Sequence, residues 1–396
     1  MPVFDLSEYK ERVRKTKERM NKDGVEVLLV TAPANINYLT GYDGWSFYVH
    51  QLLILEADEE EPIWVGRYMD ANGAKLTTYL REENIRGYSD DYVQSSMKHP
   101  MSFVADILKE KGWANKRIGV EMDQYYFTAR CLSELQESLP NAKFKDATLL
   151  VNWIRLIKSE AEISFMKRAG RILEKVMRVA IESVEAGVRQ CDAVANIYHA
   201  QTSGTPECGG DYTAIAPILQ AGKRAAAAHL TWTEEKFQTN EATYLELAGC
   251  YNHYHSPMCR TVYIGNPPDQ LKRLAEIAVE GLEKALAFIK PGLACEEVDD
   301  YWMKVMTPYG VINELTYHRL AYAAGLGYPP DWGEHTASMR PGDKTILQPN
   351  MTFHMVPIVF PLSGKGSSFA ISEGLRVTAD GCETLANFPR RLFVKS

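Results

Sequence analysis

The sequence has no long hydrophobic run, no paired cysteines and no basic segment. Its longest apolar stretches, such as Val27–Val30 and residues 225–228, fall far short of the roughly 20 residues that a membrane-spanning helix needs. With 44 Lys+Arg against 51 Asp+Glu, the net charge of −7 argues against a dedicated nucleic-acid binder. The seven cysteines show no CxxC spacing, which argues against zinc ribbons and iron–sulfur sites and favours reduced thiols.

What the sequence does contain is enough apolar residues to build a core. A hydrophobic content of 45% excludes an intrinsically disordered chain. At roughly 150 residues per domain, 396 residues predict two or three domains. The first residues show no basic-then-apolar signal pattern. Together with reduced thiols, this pattern predicts a cytoplasmic protein.

The order of helix and strand signals predicts two domains of different class. Residues 1–156 alternate helical and strand-like segments, which predicts an α/β domain. Ser159 stands three residues before Glu162, a capping-box spacing that should start a long helix just after the boundary. Residues 157–396 predict an α+β domain of curved antiparallel strands with helices against one side. Its strands are expected at 214–219, 243–247, 260–264, 352–359 and 375–378, and its later helices at 270–289 and 295–306.

Three residues stand out as candidates for chemistry. His229 follows four alanines, whose small side chains leave room for a ligand. Glu246 interrupts an apolar strand pattern, and Glu373 lies between an apolar stretch and a strand. A carboxylate directed into a site can have a shifted pKa and act as an acid or a base. On pattern alone, an ordinary core histidine, a solvent-facing strand residue and a loop carboxylate remain open alternatives.

The C-terminal half resembles the pita-bread fold of the creatinase, prolidase and methionine aminopeptidase superfamily. The resemblance lies in residues 155–163 at the domain junction and in residues 373–381, which look like the closing motif of that fold. His229 falls where the family keeps a catalytic histidine. Residues 34–41 match a segment common in creatinase N-terminal domains. The resemblance implies a creatinase-like N-terminal α/β domain followed by a pita-bread catalytic domain.

The sequence departs from the metal-dependent members of this superfamily. Those members hold two metal ions with two aspartates, one histidine and two glutamates. The corresponding motif positions here are Glu246 or Leu247, Pro257, Tyr322, Val356 and Glu373. Two glutamates alone cannot build a two-metal site. The resemblance therefore implies no catalytic metal and no other cofactor, as in creatinase, and it ranks a metallopeptidase last.

Several unusual stretches resemble the ectoine hydrolase branch of the superfamily. They are residues 41–51, 204–212, 229–233, 246–250 and 328–335. This resemblance implies a small zwitterionic substrate, ectoine, whose cyclic amidine is hydrolysed to an N-acetylated diaminobutyrate. Because the positive charge already activates the amidine carbon, the reaction needs a nucleophile, a proton carrier and anionic groups rather than a metal.

The same resemblance assigns roles to individual residues. Glu246 and Glu373 are expected to flank the amidinium, and one of them activates water or attacks directly. His229 is expected to carry a proton to the departing ring nitrogen. Tyr322 would donate a hydrogen bond, and Arg260 would receive the substrate carboxylate unless it forms a structural ion pair. Further residues expected around the substrate are Trp232, Asp331, Trp332, Glu334 and His335, with Glu207 and Asp211 as weaker candidates.

Trp45, Tyr48 and His50 belong to the N-terminal domain. In creatinase-like homodimers that domain covers the partner's site, so the resemblance implies an aromatic lid across the dimer interface, with ordinary packing as the alternative. Two other functions remain open: a creatinase-type amidinohydrolase acting on another guanidino or amidino compound, and a catalytically inactive binding module. The retained His229 and Glu373 argue against an inactive module.

Overall fold

The structure is a computed structural model that describes residues 2–310, 318–358 and 368–396. The chain divides into two compact units, Met1–Arg155 and Leu156–Ser396, where the sequence places the boundary between residues 156 and 157. Among the described residues, no helix has both the length and the apolar character needed to cross a membrane.

The first unit is an α/β domain, as expected. Its strands are β1 (Val27–Val30), β2 (Leu52–Glu56), β3 (Ile63–Arg67), β4 (Ile85–Tyr88), β5 (Arg117–Val120) and β6 (Lys143–Asp146). Its helices are α1 (Leu6–Asp23), α2 (Pro33–Thr40), α3 (Ala71–Thr77), α4 (Pro100–Glu110), α5 (Ala129–Ser138) and α6 (Leu150–Arg155). The strands form one mixed sheet in the order β4-β3-β2-β1-β5-β6. The central strand β1 is buried at every position, which explains its unbroken apolar sequence.

The second unit is an α+β domain, which confirms the predicted fold class. Its helices are α7 (Glu160–Ser183), α8 (Gln190–Ser203), α9 (Asp269–Phe288) and α10 (Cys295–Met306). Its strands are β7 (Ile218–Ala221), β8 (Glu241–Tyr251), β9 (Tyr254–Ile264), β10 (Ala321–Tyr328), β11 (Asp331–Met339), β12 (Thr352–Met355), β13 (Glu373–Val377), β14 (Cys382–Thr384) and β15 (Phe393–Lys395). The large sheet runs β14-β13-β12-β10-β9-β8-β7, with β11 beside β10 and β15 beside β9.

The capping box predicted before α7 is present. The Ser159 side chain accepts from the Glu162 N–H at 3.3 Å, and the Glu162 carboxylate accepts from the Ser159 N–H at 2.9 Å. The helix then crosses β8 so closely that a Cβ on Gly249 would lie 2.0 Å from the carbonyl oxygen of Ala169. Only glycine permits this approach of helix and strand.

The structure differs from the predicted elements in several places. The strand expected at 214–219 begins at Ile218, and the one expected at 352–359 ends at Met355, with residue 359 outside the described part of the chain. The hairpin of β10 and β11 was not predicted. The β10 sequence is rich in alanine and glycine, which have little intrinsic preference for strands, so tertiary packing decides its conformation.

Candidate active site

The candidate site lies on the face of the large sheet that α7 and α8 do not cover. Along β8, Leu245 and Leu247 pack with those helices. The alternate residues Tyr244 and Glu246 therefore point to the other face. The strand register pairs Glu246 with Cys259 of β9, which also faces this side.

Glu246 is a buried carboxylate held by a phenol. The hydroxyl of Tyr244 donates to its Oε2 at 2.7 Å. Burial raises the pKa of Glu246, and the hydrogen bond from Tyr244 and the charge of His229 offset this only in part. The charge of Asp331 raises the pKa further. A carboxylate in this state can serve as a base, an acid or a nucleophile.

Cys259 lies beside Glu246 as a neutral thiol. Its Sγ is 3.2 Å from the Tyr244 hydroxyl. Because that hydroxyl donates to Glu246, its oxygen can accept from the thiol. Burial raises the pKa of Cys259 well above its ordinary value, and the Glu246 charge adds to the effect. Cys259 is therefore not the thiolate that cysteine nucleophiles require.

A chain of hydrogen bonds borders Glu246 and Cys259. Trp332 Nε1 donates to the Tyr322 hydroxyl oxygen at 3.0 Å. That hydroxyl is 2.8 Å from Nδ1 of His354, and Nε2 of His354 is 2.7 Å from Oγ of Ser372. Burial lowers the pKa of His354 to about 3, helped by the nearby charge of Arg319, so the imidazole is neutral.

Tyr322 faces the same carboxylate. Burial raises its pKa well above the ordinary value, and the charge of Glu246 contributes to the shift. The phenol therefore keeps its proton at neutral pH and can act as a hydrogen-bond donor. The structure brings together Tyr322, Trp332 and Glu246, three of the residues that the sequence assigned to the site.

A charged rim lies next to this chain. Asp331 accepts from Gly333 N–H at 2.8 Å and pairs with His335 Nε2 at 2.9 Å. Burial alone would raise the pKa of Asp331, but the hydrogen bonds from His335 and Gly333 outweigh it and lower the pKa. The guanidinium of Arg319 lies 4.4 Å above the Tyr322 ring. Among residues 2–310, 318–358 and 368–396, Arg319 forms no ion pair with a carboxylate.

His229 lies within electrostatic reach of Glu246, whose pKa its charge lowers. It is exposed and adopts a left-handed backbone with φ of 61°. The short helical turn before it places Ala225 against Tyr244 and Cys259. A loop position leaves the imidazole free to approach a ligand.

Glu373 departs from the expectation made for it, and Arg260 forms the structural ion pair that the sequence left open. They form an ion pair at 2.6 Å on the face opposite Glu246, with Arg390 also donating to Glu373. All five N–H groups of Arg260 have acceptors in the protein, so none is left for a substrate carboxylate. The reason is strand alternation, since Ser372 rather than Glu373 has the position facing Glu246.

Glu334 and Trp232 are also in structural roles. Glu334 forms a fully buried ion pair with Lys158 at 2.6 Å, which ties β11 to the start of α7. A Cβ on Gly325 would lie 2.8 Å from Glu334, so this glycine makes room for the pair. Trp232 packs with the core under α7 and α8, edge-on to Tyr198 at 6.1 Å.

Two weaker candidates lie in turns. Glu207 is exposed, and its hydrogen bond from Thr205 lowers its pKa. Asp211 accepts from the Asn252 N–H, which fixes the turn between β8 and β9. These contacts give both residues a structural explanation.

The N-terminal unit presents Trp45 and Tyr48 at its surface, where they are 59% and 60% exposed. His50 is half-buried instead, with its ring nitrogens 3.7 and 3.8 Å from the sulfur of Cys131. Exposed aromatic side chains of this kind are common at binding surfaces. The role of Trp45 and Tyr48 as a lid stays a prediction.

Sequence reasoning missed Tyr244, Cys259, Arg319, His354 and Ser372. Tyr244 and Glu246 stand two residues apart in one strand, so strand periodicity could have grouped them. His354 interrupts an apolar strand in the same way as Glu246 does. Ser372 and Arg319 carry no comparable signal, since a serine or an arginine at a strand end is ordinary.

Comparison with known proteins identifies the family. Residues 164–379 match the metallopeptidase family M24, and residues 12–157 match the creatinase/prolidase N-terminal domain. The chain belongs to the metallopeptidase family M24. An ectoine hydrolase of Halomonas elongata is 44% identical over 99% of this chain and 98% of its own length. An uncharacterised hydrolase/peptidase of Sinorhizobium fredii is 45% identical over the same shares.

A solved structure of prolidase from Thermococcus sibiricus has the same two-domain fold as this M24 chain. Its TM-score is 0.83 at 22% identity, covering 99% of this chain and all of that one. The family match and the likeness to the Halomonas elongata enzyme show that the chain is a hydrolase acting on C–N bonds.

The side chains present do not fit the metal ions that the M24 family name implies. Pro257 and Val356 offer no donor atom, and Leu247 packs with the helices. Glu246, Cys259 and His354 do offer atoms within 4.8 Å of one another. However, both nitrogens of His354 are already hydrogen-bonded, to Tyr322 and to Ser372. Metal ligation needs a free imidazole lone pair.

Proposed function

We propose that this protein hydrolyses ectoine at its amidine carbon, gives N-acetyl-2,4-diaminobutyrate, and needs no metal ion. The observation that carries the proposal is the placement of opposite charges. The buried Glu246 carboxylate lies within electrostatic reach of Tyr322, and the Arg319 guanidinium lies 4.4 Å from the ring of the same residue. A zwitterion with an amidinium and a carboxylate matches this arrangement. The likeness to the Halomonas elongata ectoine hydrolase supports the same substrate.

Glu246 is the group that starts the reaction. Burial raises the pKa of Glu246, whereas the positive charge of a bound substrate lowers it. Substrate binding therefore favours the ionised carboxylate. The carboxylate then removes a proton from water as the water oxygen bonds to the amidine carbon. Alternatively it attacks that carbon directly, and water later hydrolyses the acyl-type adduct. In both routes the carbon becomes tetrahedral and the amidinium charge disappears.

His229 and Tyr322 serve the departing nitrogen. As the tetrahedral centre forms, a lone pair develops on each ring nitrogen, and one nitrogen must gain a proton before its bond to carbon breaks. His229 is exposed and within electrostatic reach of Glu246, which suits a group that delivers this proton. As the C–N bond breaks, the hydroxyl on the tetrahedral carbon gives its proton back to His229 and becomes the amide carbonyl. Glu246 then passes the proton taken from water to the released amine, which leaves as an ammonium group. Tyr322 keeps its own proton and donates a hydrogen bond to the tetrahedral centre.

Arg319 takes the role that the sequence gave to Arg260. One of its N–H groups donates to Ser338 at 3.2 Å, and its face lies on Tyr322. The remaining donors suit a bidentate pair with the substrate carboxylate. Asp331, which pairs with His335, adds negative charge within electrostatic reach of Glu246 and Arg319. Trp332 orients Tyr322 through its indole N–H.

We further propose a cytoplasmic homodimer in which Trp45 and Tyr48 cover the partner's site. Their exposure supports this arrangement, because a flat amidinium stacks well on aromatic rings. The test is the mass in solution by light scattering, followed by Trp45→Ala. A dimer whose KM for ectoine rises about tenfold in the variant supports the lid, whereas a monomer with an unchanged KM rejects it.

The substrate is tested by incubating the protein separately with ectoine, creatine and an Xaa-Pro dipeptide and following each by NMR. Ring opening of ectoine to an N-acetyl product, with the other two compounds intact, is the expected result. Cleavage of creatine would instead identify an amidinohydrolase, and cleavage of the dipeptide would identify a peptidase. No reaction with any of them, under conditions where the protein is folded, would favour a binding module.

A further inference from the structure

The hydrogen-bonded chain Trp332–Tyr322–His354–Ser372 allows its hydrogen atoms to be assigned. Its two ends are fixed by groups that can only donate. The indole N–H of Trp332 donates to the Tyr322 oxygen, and the backbone N–H of Cys259 donates to Ser372 Oγ at 2.6 Å. Each hydroxyl oxygen therefore already accepts one hydrogen bond.

His354 lies in the middle of the chain, and its neutral ring carries one N–H hydrogen, either on Nδ1 or on Nε2. Burial keeps its imidazole neutral, so one nitrogen carries hydrogen and the other accepts. In the first arrangement, Nδ1–H donates to Tyr322 and Ser372 donates to Nε2. In the second, Nε2–H donates to Ser372 and Tyr322 donates to Nδ1. The two arrangements differ in which hydroxyl hydrogen has to find another partner.

Burial decides between them. Ser372 is completely buried, and in the second arrangement the acceptor that the described residues offer its hydrogen is the sulfur of Cys259, a weak one. A buried hydroxyl without a good acceptor is costly. Tyr322 is only half-buried and faces Glu246, so its hydrogen has a carboxylate, water or a ligand to meet. The first arrangement gives Ser372 and both nitrogens of His354 a partner, and it leaves the Tyr322 hydrogen for a group in the site.

We infer that Ser372 and His354 are positioning residues that direct the Tyr322 hydroxyl hydrogen into the site. In this state the Tyr322 oxygen accepts from both Trp332 and His354, and its own O–H is left to donate to the substrate. Two incoming N–H groups also strengthen the phenol as a donor, because hydrogen bonds in a chain polarise one another. This inference rests on the proposed function only for its effect on catalysis.

The first test is NMR of the substrate-free protein with ¹⁵N-labelled histidine. The His354 resonances are assigned by comparison with His354→Gln. We expect a protonated Nδ1 and an unprotonated Nε2, and we expect Ser372→Ala to reverse this tautomer. Ser372→Thr keeps the hydroxyl and should keep the wild-type tautomer. A protonated Nε2, or an imidazolium, in the wild-type protein would overturn the inference whatever the substrate is.

The second test is a double-mutant cycle on ectoine hydrolysis. Ser372→Ala should lower kcat about tenfold, the value of one hydrogen bond, with little change in KM. Because Ser372 acts through Tyr322, the variant carrying both Ser372→Ala and Tyr322→Phe should be no slower than Tyr322→Phe alone. Effects that multiply would overturn the inference and indicate a merely structural role. If ectoine is not a substrate at all, the proposed function fails, while the tautomer measurement still decides this inference.

Discussion

Replacing Glu246 by glutamine separates the catalytic carboxylate from its structural contacts. The amide has the same shape, and its oxygen can still accept from Tyr244, whose hydroxyl now lies 2.7 Å from Oε2. The negative charge is lost, so neither water activation nor direct attack remains. We expect kcat for ectoine to fall about 10³-fold, within the range found for removal of a general base. The loss is measured by NMR of ring opening under saturating substrate.

Stability distinguishes this loss from misfolding. Burial raises the pKa of Glu246 in the folded protein, so folding disfavours its ionised form, and this carboxylate destabilises the protein as pH rises above its unfolded pKa. Glu246→Gln should therefore keep or raise Tm at neutral pH. A variant that keeps more than a tenth of wild-type kcat, or that loses both activity and Tm, would refute the reasoning.

Tyr244→Phe is the matched control for Glu246→Gln. It keeps the carboxylate but removes the hydrogen bond that lowers the pKa of Glu246. The pKa must then rise, so the acidic limb of the pH–rate profile should move to higher pH while the plateau changes little. An acidic limb that stays in place, or moves to lower pH, would show that Glu246 is not the titrating group.

Three further substitutions test the remaining assignments. Arg319→Met should raise KM for ectoine about 10- to 100-fold with a smaller effect on kcat, because it removes a charged hydrogen bond to the substrate carboxylate. An unchanged KM would show that Arg319 does not bind that carboxylate. Glu373→Gln leaves the buried Arg260 charge unpaired, so the free energy of unfolding in urea should fall by about 3–5 kcal/mol while kcat per folded molecule is unchanged. A loss of kcat without a loss of stability would show that Glu373 acts in catalysis. His229→Ala should lower kcat about 10²-fold at unchanged Tm, and unaltered turnover would exclude it as the proton carrier.

Much of the fold follows from local sequence signals. The capping box at Ser159 and Glu162 marks the start of α7, and the helices α9 and α10 follow from their apolar periodicity. The hairpin of β10 and β11 does not follow in this way, because its alanines and glycines are held in strands only by their neighbours. That hairpin carries Tyr322 and Trp332, so the positions of these two site residues could not be predicted from local sequence signals.

Glu246 could be predicted as a site residue because it interrupts an apolar strand. His229 could be predicted because small residues precede it. Glu373 could not be placed correctly, since a strand alternates its faces and a shift of one residue reverses the side chain's direction. Ser372 therefore faces Glu246, while Glu373 pairs with Arg260 behind the sheet. Arg319 stands at the start of the unpredicted hairpin, where the sequence pattern offers no signal.

The most direct test of the central claim is turnover of ectoine by metal-free protein. The protein is treated with a chelator, its metal content is measured by mass spectrometry, and ring opening is followed by NMR with and without added manganese, cobalt or zinc. The proposed chemistry of Glu246, Tyr322 and Arg319 predicts full kcat below 0.1 equivalent of metal, about the level of contamination, and no gain on addition. Activity that disappears with the metal and returns in proportion to its addition would contradict it.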